Sequence, residues 1–182
     1  MTMKRTSVAL CLAFLLATVF GGAALAKTIN GTAKGETLRG TNSADTISGR
    51  GGDDKLIGRG GPDTLAGGDG RDRLYGNTGN DKLKGGFGGD PALRGEAGND
   101  EVVGDLGSDT MTGDAGDDTM RADDDTVRDF VNCGEDADGQ DVDTAFVGAN
   151  DLVDGQQAST LVTTTALSCE ILFVDGVRIP QV

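Results

Sequence analysis

Nine aspartates stand at an almost constant interval along the chain: Asp45, Asp54, Asp63, Asp72, Asp81, Asp90, Asp100, Asp109 and Asp118. There is no His, which removes Ser-His-Asp and Cys-His catalysis as well as His-ligated zinc. No nucleophile-elbow or phosphate-cradling motif occurs either. What regularly spaced carboxylates can do is hold a hard divalent cation. Calcium accepts about six to eight oxygens at about 2.3–2.6 Å in loose geometry. Gly-rich turns expose the backbone carbonyls that complete such a cage. Magnesium wants a stricter octahedron and keeps its water, and transition metals favour the His and Cys these segments lack.

The aspartates need turns to present them, and the sequence supplies a repeat. Each is the sixth residue of a unit that opens with Gly: Gly40, Gly49, Gly58, Gly67, Gly76, Gly85, Gly95, Gly104 and Gly113. The fourth place is Gly in every unit but the first, where Ser43 stands, and the eighth is apolar, from Ile47 through Leu56 and Leu65 to Met120. One residue inserted after Asp90 delays the apolar place to Leu93 and shifts the phase. Gly at the first and fourth places is expected to take positive φ, which a Cβ obstructs. The three residues after each Asp, such as Thr64-Leu65-Ala66, then form only a very short strand with its middle side chain inward. One inward residue per unit buries nothing alone, so units must stack into a solenoid. Stacked turns bring carboxylates together at the strand spacing of about 4.8 Å, tolerable with cations between them.

Units such as Gly67-Gly68-Asp69-Gly70-Arg71-Asp72-Arg73-Leu74-Tyr75 resemble the G-G-x-G-x-D-x-U-x nonapeptide of repeats-in-toxin (RTX) proteins. The resemblance spans Gly31 to about Arg121. It implies an all-β fold, a right-handed parallel β-roll (β-solenoid) of two repeats per turn with calcium held between turns on each edge. The nine aspartates are then the metal ligands. Pairing each with the next but one leaves about seven gaps, hence roughly seven Ca2+ ions. Gly31 to Arg39 reads as a degenerate opening unit, with Glu36 in place of Asp and Leu38 inward. Thr41, Arg50, Arg59 and Glu96 sit uncomfortably at the second, left-handed place, where Asn77, Asp105 and Asp114 are better tolerated. Pro91 and the insertion are expected to disturb the site between Asp90 and Asp109. Two other readings stand beside this one. A Gly/Asp-rich flexible linker gives no reason for Asp and Leu to keep step. A metal-free solenoid ranking Thr46, Thr64, Thr110 and Thr119 is interrupted by Lys55, Arg73 and Lys82.

Residues 1–26 read as a secretory signal peptide: Lys4 and Arg5, an apolar run from Ser7 to Phe20, then Ala24-Leu25-Ala26. An uncleaved membrane anchor is the alternative. The division expected is 1–26 signal, 27–121 roll and 122–182 an acidic C-terminal β cap. The last part carries eleven Asp and two Glu against Arg128 and Arg178. Its apolar clusters are Thr126-Val127, Phe130-Val131, Ala145-Phe146-Val147, Leu161-Val162 and Ile171-Leu172-Phe173-Val174. Cys133 and Cys169, an even pair in an exported chain, read first as a disulfide, with two free buried thiols as the other possibility. The frame Asn132-Cys133-Gly134 … Asp141-Val142-Asp143 … Asn150-Asp151-Leu152-Val153 … Cys169-Glu170 also resembles the C-terminal element of small secreted bacterial calcium-binding RTX proteins. Asp136 to Asp141 fails as an EF-hand, since Asp141 stands where Gly is needed. It is an extra weak calcium site or a solvated turn. Asp123-Asp124-Asp125 is a charge run or a last incomplete repeat.

The function expected is a secreted, extracellular, non-enzymatic calcium-binding protein in which ion binding and folding are coupled. It is expected to be monomeric. A formal net charge of −14 speaks against nucleic acid and anionic membranes as partners. A calcium-stiffened cell-surface or matrix adhesion module, with a polysaccharide or cell-envelope partner, is the second reading. A hydrolase carrying an RTX tail would need a catalytic domain and a His.

Overall fold

The computed structural model describes residues 25–122, 126–134, 142–148, 151–153, 156–157, 169, 171–174 and 176–179. The signal segment up to residue 24, the run 123–125, the acidic turn 136–141 and Leu161-Val162 lie outside the described residues.

All described regular structure is β-strand, in two sheets. The first sheet holds β1 (Thr28–Asn30), β3 (Thr46–Gly51), β5 (Thr64–Asp69), β7 (Lys82–Phe87), β9 (Glu101–Leu106), β11 (Thr119–Ala122), β13 (Thr144–Val147), β16 (Ile171–Val174) and β17 (Val177–Ile179). The second holds β2 (Thr37–Arg39), β4 (Lys55–Gly60), β6 (Arg73–Thr78), β8 (Ala92–Ala97), β10 (Thr110–Ala115), β12 (Phe130–Asn132), β14 (Leu152–Val153) and β15 (Gln156–Gln157). Successive repeat units alternate between sheets, and their strands pair in parallel within each sheet. This is a parallel β-roll, as the repeat implies.

The eighth-place residues line up in register. Ile29, Ile47, Leu65, Leu83, Val102, Met120 and Ala145 form one column. Leu38, Leu56, Leu74, Leu93, Met111, Val131 and Val153 form the other. From Ile47 onward every member is buried, and fully burying such a side chain contributes about 1.5–3 kcal/mol. Ile29 and Leu38 are only partly buried; among the described residues the first coil has a neighbouring coil on one side alone.

Two expectations are corrected. Full-length repeat strands run six residues, not three, because the chain stays extended through the first Gly of the next unit. In β5 both Leu65 and Gly67 point inward. The first-place Gly does not take positive φ; from the unit opening at Gly49 onward the second and fourth places do, whereas Thr41 in the first unit does not. Arg50, Arg59, Asn77, Glu96, Asp105 and Asp114 all lie in the left-handed region, with Gly68 and Gly86 in the matching places. The first Gly is needed for room: a Cβ on Gly67 would run into the Asp72 carboxylate and the Gly85 carbonyl. The insertion after Asp90 is absorbed before β8, so that Leu93 takes the eighth-place role one residue late, as expected, in line with Leu74 and Met111.

The sheets continue beyond Ala122 without repeat spacing. β13 and β16 extend the first sheet, β12 and β14 the second, and antiparallel β17 and β15 finish them. Cys133, just after β12, is joined to Cys169, just before β16, in a disulfide with Cα atoms 5.3 Å apart. The bond therefore ties the two sheets together where the repeats have ended.

Candidate metal centre

Each sixth-place aspartate precedes a strand and lies at an edge of the roll. Its side chain turns inward over the first-place Gly of its own unit, the only residue type that leaves space there. All nine are buried. They form two columns. Along one edge the amide of Asp45 donates to Oδ1 of Asp63, Asp63 to Asp81, Asp81 to Asp100 and Asp100 to Asp118, at 2.7–2.8 Å. Along the other, Asp54 donates to Asp72, Asp72 to Asp90 and Asp90 to Asp109, again at 2.7–2.8 Å. The Asp90–Asp109 rung is intact, so Pro91 and the insertion do not disturb this edge.

The columns extend past the repeats. Asp109 donates to Asp129 and Asp118 to Asp143 at 2.8 Å, and Asp129 to Asp151 at 3.1 Å. All three added carboxylates are buried. Sequence reading missed them because their units have lost the glycines and the nine-residue interval. A signal survives in the triplets Asp129-Phe130-Val131, Asp143-Thr144-Ala145 and Asp151-Leu152-Val153, each an Asp two residues before an inward apolar residue.

The two oxygens of each carboxylate differ. Oδ1 accepts from the backbone, whereas Oδ2 of Asp54, Asp63, Asp72, Asp81, Asp90 and Asp100 is buried with no hydrogen-bond partner among the described residues. A buried carboxylate oxygen left without donor or cation is costly. Burial accordingly pushes Asp63 up to about 6 and Asp90 and Asp100 up to about 7, with backbone N–H donation only partly offsetting it. Burial raises Asp54, Asp72 and Asp81 as well. Asp45 differs. Burial disfavours its charge too, but the Thr41 and Lys27 amides, the Thr41 hydroxyl and the Lys27 charge together hold its carboxyl below the ordinary value. Its Oδ2 accepts from both the amide and the hydroxyl of Thr41.

Among the described residues no three acidic or thiol side chains converge on one point. Any cation between coils must therefore draw most of its ligands from backbone carbonyls, with the carboxylates supplying charge. That donor set, all oxygen and loosely arranged, suits calcium better than magnesium or a transition metal.

Fold and site together define a parallel β-roll with columns of buried carboxylates at its edges. The profile of the RTX calcium-binding nonapeptide repeat matches residues 30–65, 57–90 and 94–127, and the chain belongs to that family. Its repeats are calcium-binding repeats. No curated protein matches the chain.

Proposed function

We propose that this is a secreted, non-enzymatic protein that binds calcium between successive coils and folds as it does so. Asp54, Asp63, Asp72, Asp81, Asp90, Asp100, Asp109 and Asp118 would hold the ions together with turn carbonyls. Asp45, already engaged by Thr41, closes the weakest gap, and the gaps number about seven in all. The observation that carries this reading is the partnerless, buried Oδ2 of six successive aspartates.

Calcium, when bound, supplies the positive charge and oxygen coordination that this edge otherwise lacks. The chain's residues set the terms. First-place glycines leave room for inward carboxylates, Oδ1 is fixed by the preceding coil, and Oδ2 is presented toward the interior of the turn. Because one coil donates to the carboxylate of the next, adjacent sites form together. Binding energy is then folding energy. The apolar N-terminal segment would direct export, placing the chain where calcium is plentiful.

Equilibrium dialysis against calcium tests this reading. About seven ions per chain are expected, falling by about two to four when Asp72 and Asp81, one on each edge and each bordering two gaps, are both changed to Asn. An unchanged stoichiometry in that variant would remove the assignment.

A further inference from the structure

The cations of this acidic chain are not spread evenly over the roll. On its outer surface the second sheet presents Arg39 from β2, Lys55 and Arg59 from β4, Arg73 from β6 and Arg94 from β8, all exposed. Glu96 is the one carboxylate on those four strands. Lys55 and Arg73 are direct neighbours across the sheet, and Arg39, Ile57, Tyr75 and Arg94 make an adjacent row. The Lys55 ammonium lies 4.9 Å from the centroid of the Tyr75 ring, which holds it over the row.

The first sheet handles its lysines differently. Lys82 pairs with Glu101 at 2.6 Å and Lys84 with Asp105 at 3.1 Å. None of the five second-sheet cations has an ion-pair partner among the described residues. Like charges directly opposite one another in a sheet are destabilising. The strip is an unneutralised positive field on a molecule of net charge −14.

We propose that this face binds an acidic polysaccharide, a single chain of carboxylated sugars laid across β2, β4, β6 and β8 along the roll axis. Lys55 and Arg73 stand on neighbouring strands about 4.7–4.9 Å apart, Arg39 and Arg94 end the adjacent row with Ile57 and Tyr75 between them, and Arg59 lies beyond, a narrow field along the roll axis suited to a single extended polyanion. Four of the five are Arg, whose planar fork grips carboxylates in pairs of hydrogen bonds. Thr37, Tyr75 and Asn77 place hydroxyl and amide groups on the same strands for sugar hydroxyls. Duplex nucleic acid is too broad for the strip and would meet the exposed Asp53, Asp69 and Asp117 at the edges. Single-stranded nucleic acid needs open aromatic platforms, and Lys55 already lies over the one aromatic ring here. The inference uses the fold and its outer face, not the calcium ligands.

The test is calorimetric titration of the calcium-loaded full chain with a short oligogalacturonate, beside a neutral oligosaccharide of equal length and a single-stranded oligonucleotide. The oligouronate is expected to bind in a salt-sensitive way, and the neutral sugar not at all. Arg73→Glu combined with Arg94→Glu should weaken binding about tenfold or more, whereas Lys82→Glu with Lys84→Glu on the other face should change it by less than about twofold. Circular dichroism checks that each variant folds, and Arg39→Gln with Lys55→Gln is the milder pair should a reversal fail to fold. No binding of the oligouronate, equal loss from both faces, or tighter binding of the oligonucleotide would overturn the proposal. Lost sugar binding with unchanged calcium stoichiometry would leave the calcium reading standing.

Discussion

The amide of Asp72 donates to Oδ1 of Asp90 at 2.7 Å, one full coil further along the roll. Asp90 therefore has two duties that its two oxygens divide. One fastens the preceding coil, and the other, buried with no hydrogen-bond partner among the described residues, is the oxygen proposed for a cation.

That division separates two substitutions. Asp90→Asn keeps an acceptor for the Asp72 amide and removes a buried charge, so without calcium the roll should gain stability on the order of 1–3 kcal/mol near neutral pH. Calcium stoichiometry should fall at the same time. Asp90→Ala removes the acceptor as well and should lack that gain. The β-rich fraction in chelator with a stabilising osmolyte, read by far-UV circular dichroism and paired with ion counting, checks both directions.

The calcium-free roll should be stabilised by acid. Carboxyls with folded pKa values raised from 3.8 to about 6 or 7 hold more protons in the folded state across that window. Stability in chelator therefore falls as pH rises from about 4 to about 7, the reverse of a salt-bridged Asp. Calcium affinity should move oppositely, weakening on acidification as protons compete for the same oxygens. The β-rich fraction in chelator, read by far-UV circular dichroism across this range with calcium titrations alongside, measures both trends.

Glycine and arginine substitutions test the roles found for the first two places. Gly67→Ala puts a methyl against the Asp72 carboxylate and should destabilise the roll by about 2–4 kcal/mol. Arg50→Gly relieves a left-handed arginine, φ 77°, and should be neutral or stabilising by up to about 1 kcal/mol. Chemical denaturation in saturating calcium compares them.

Reducing the Cys133–Cys169 bond opens a link between residues 36 apart. Loss of about 3–4 kcal/mol is expected on the chain-entropy account. Hydrogen exchange should place the loosening at the C-terminal coils, around Val131, Ala145 and Val153, rather than at Leu65 or Leu74.

The parts of the fold that depend on side-chain type at fixed spacing were legible in the sequence. Asp72 at its edge and Leu74 in its column follow from the repeat alone, as does the role of Leu93 one residue late. What was not legible turned on backbone conformation. Nothing in the letters says that Gly67 is extended and chosen for space, whereas the left-handed second place, held by Arg50, Glu96 and Gly68 alike, followed from the repeat. The tolerance of the Pro91 insertion was hidden for a related reason: an extra residue between Asp90 and β8 bulges from the turn without moving either side chain. Asp129, Asp143 and Asp151 escaped because their coils keep the rung and the inward apolar residue but discard the turn glycines that announce a repeat.

The most direct measurement is far-UV circular dichroism of the chain titrated with calcium and, in parallel, magnesium. A cooperative change from a largely unordered spectrum to a β-rich one, driven by calcium and not by magnesium, is the expected result. A spectrum that is fully β-rich in chelator and unmoved by calcium would contradict the coupling of ion binding to folding on which the account rests.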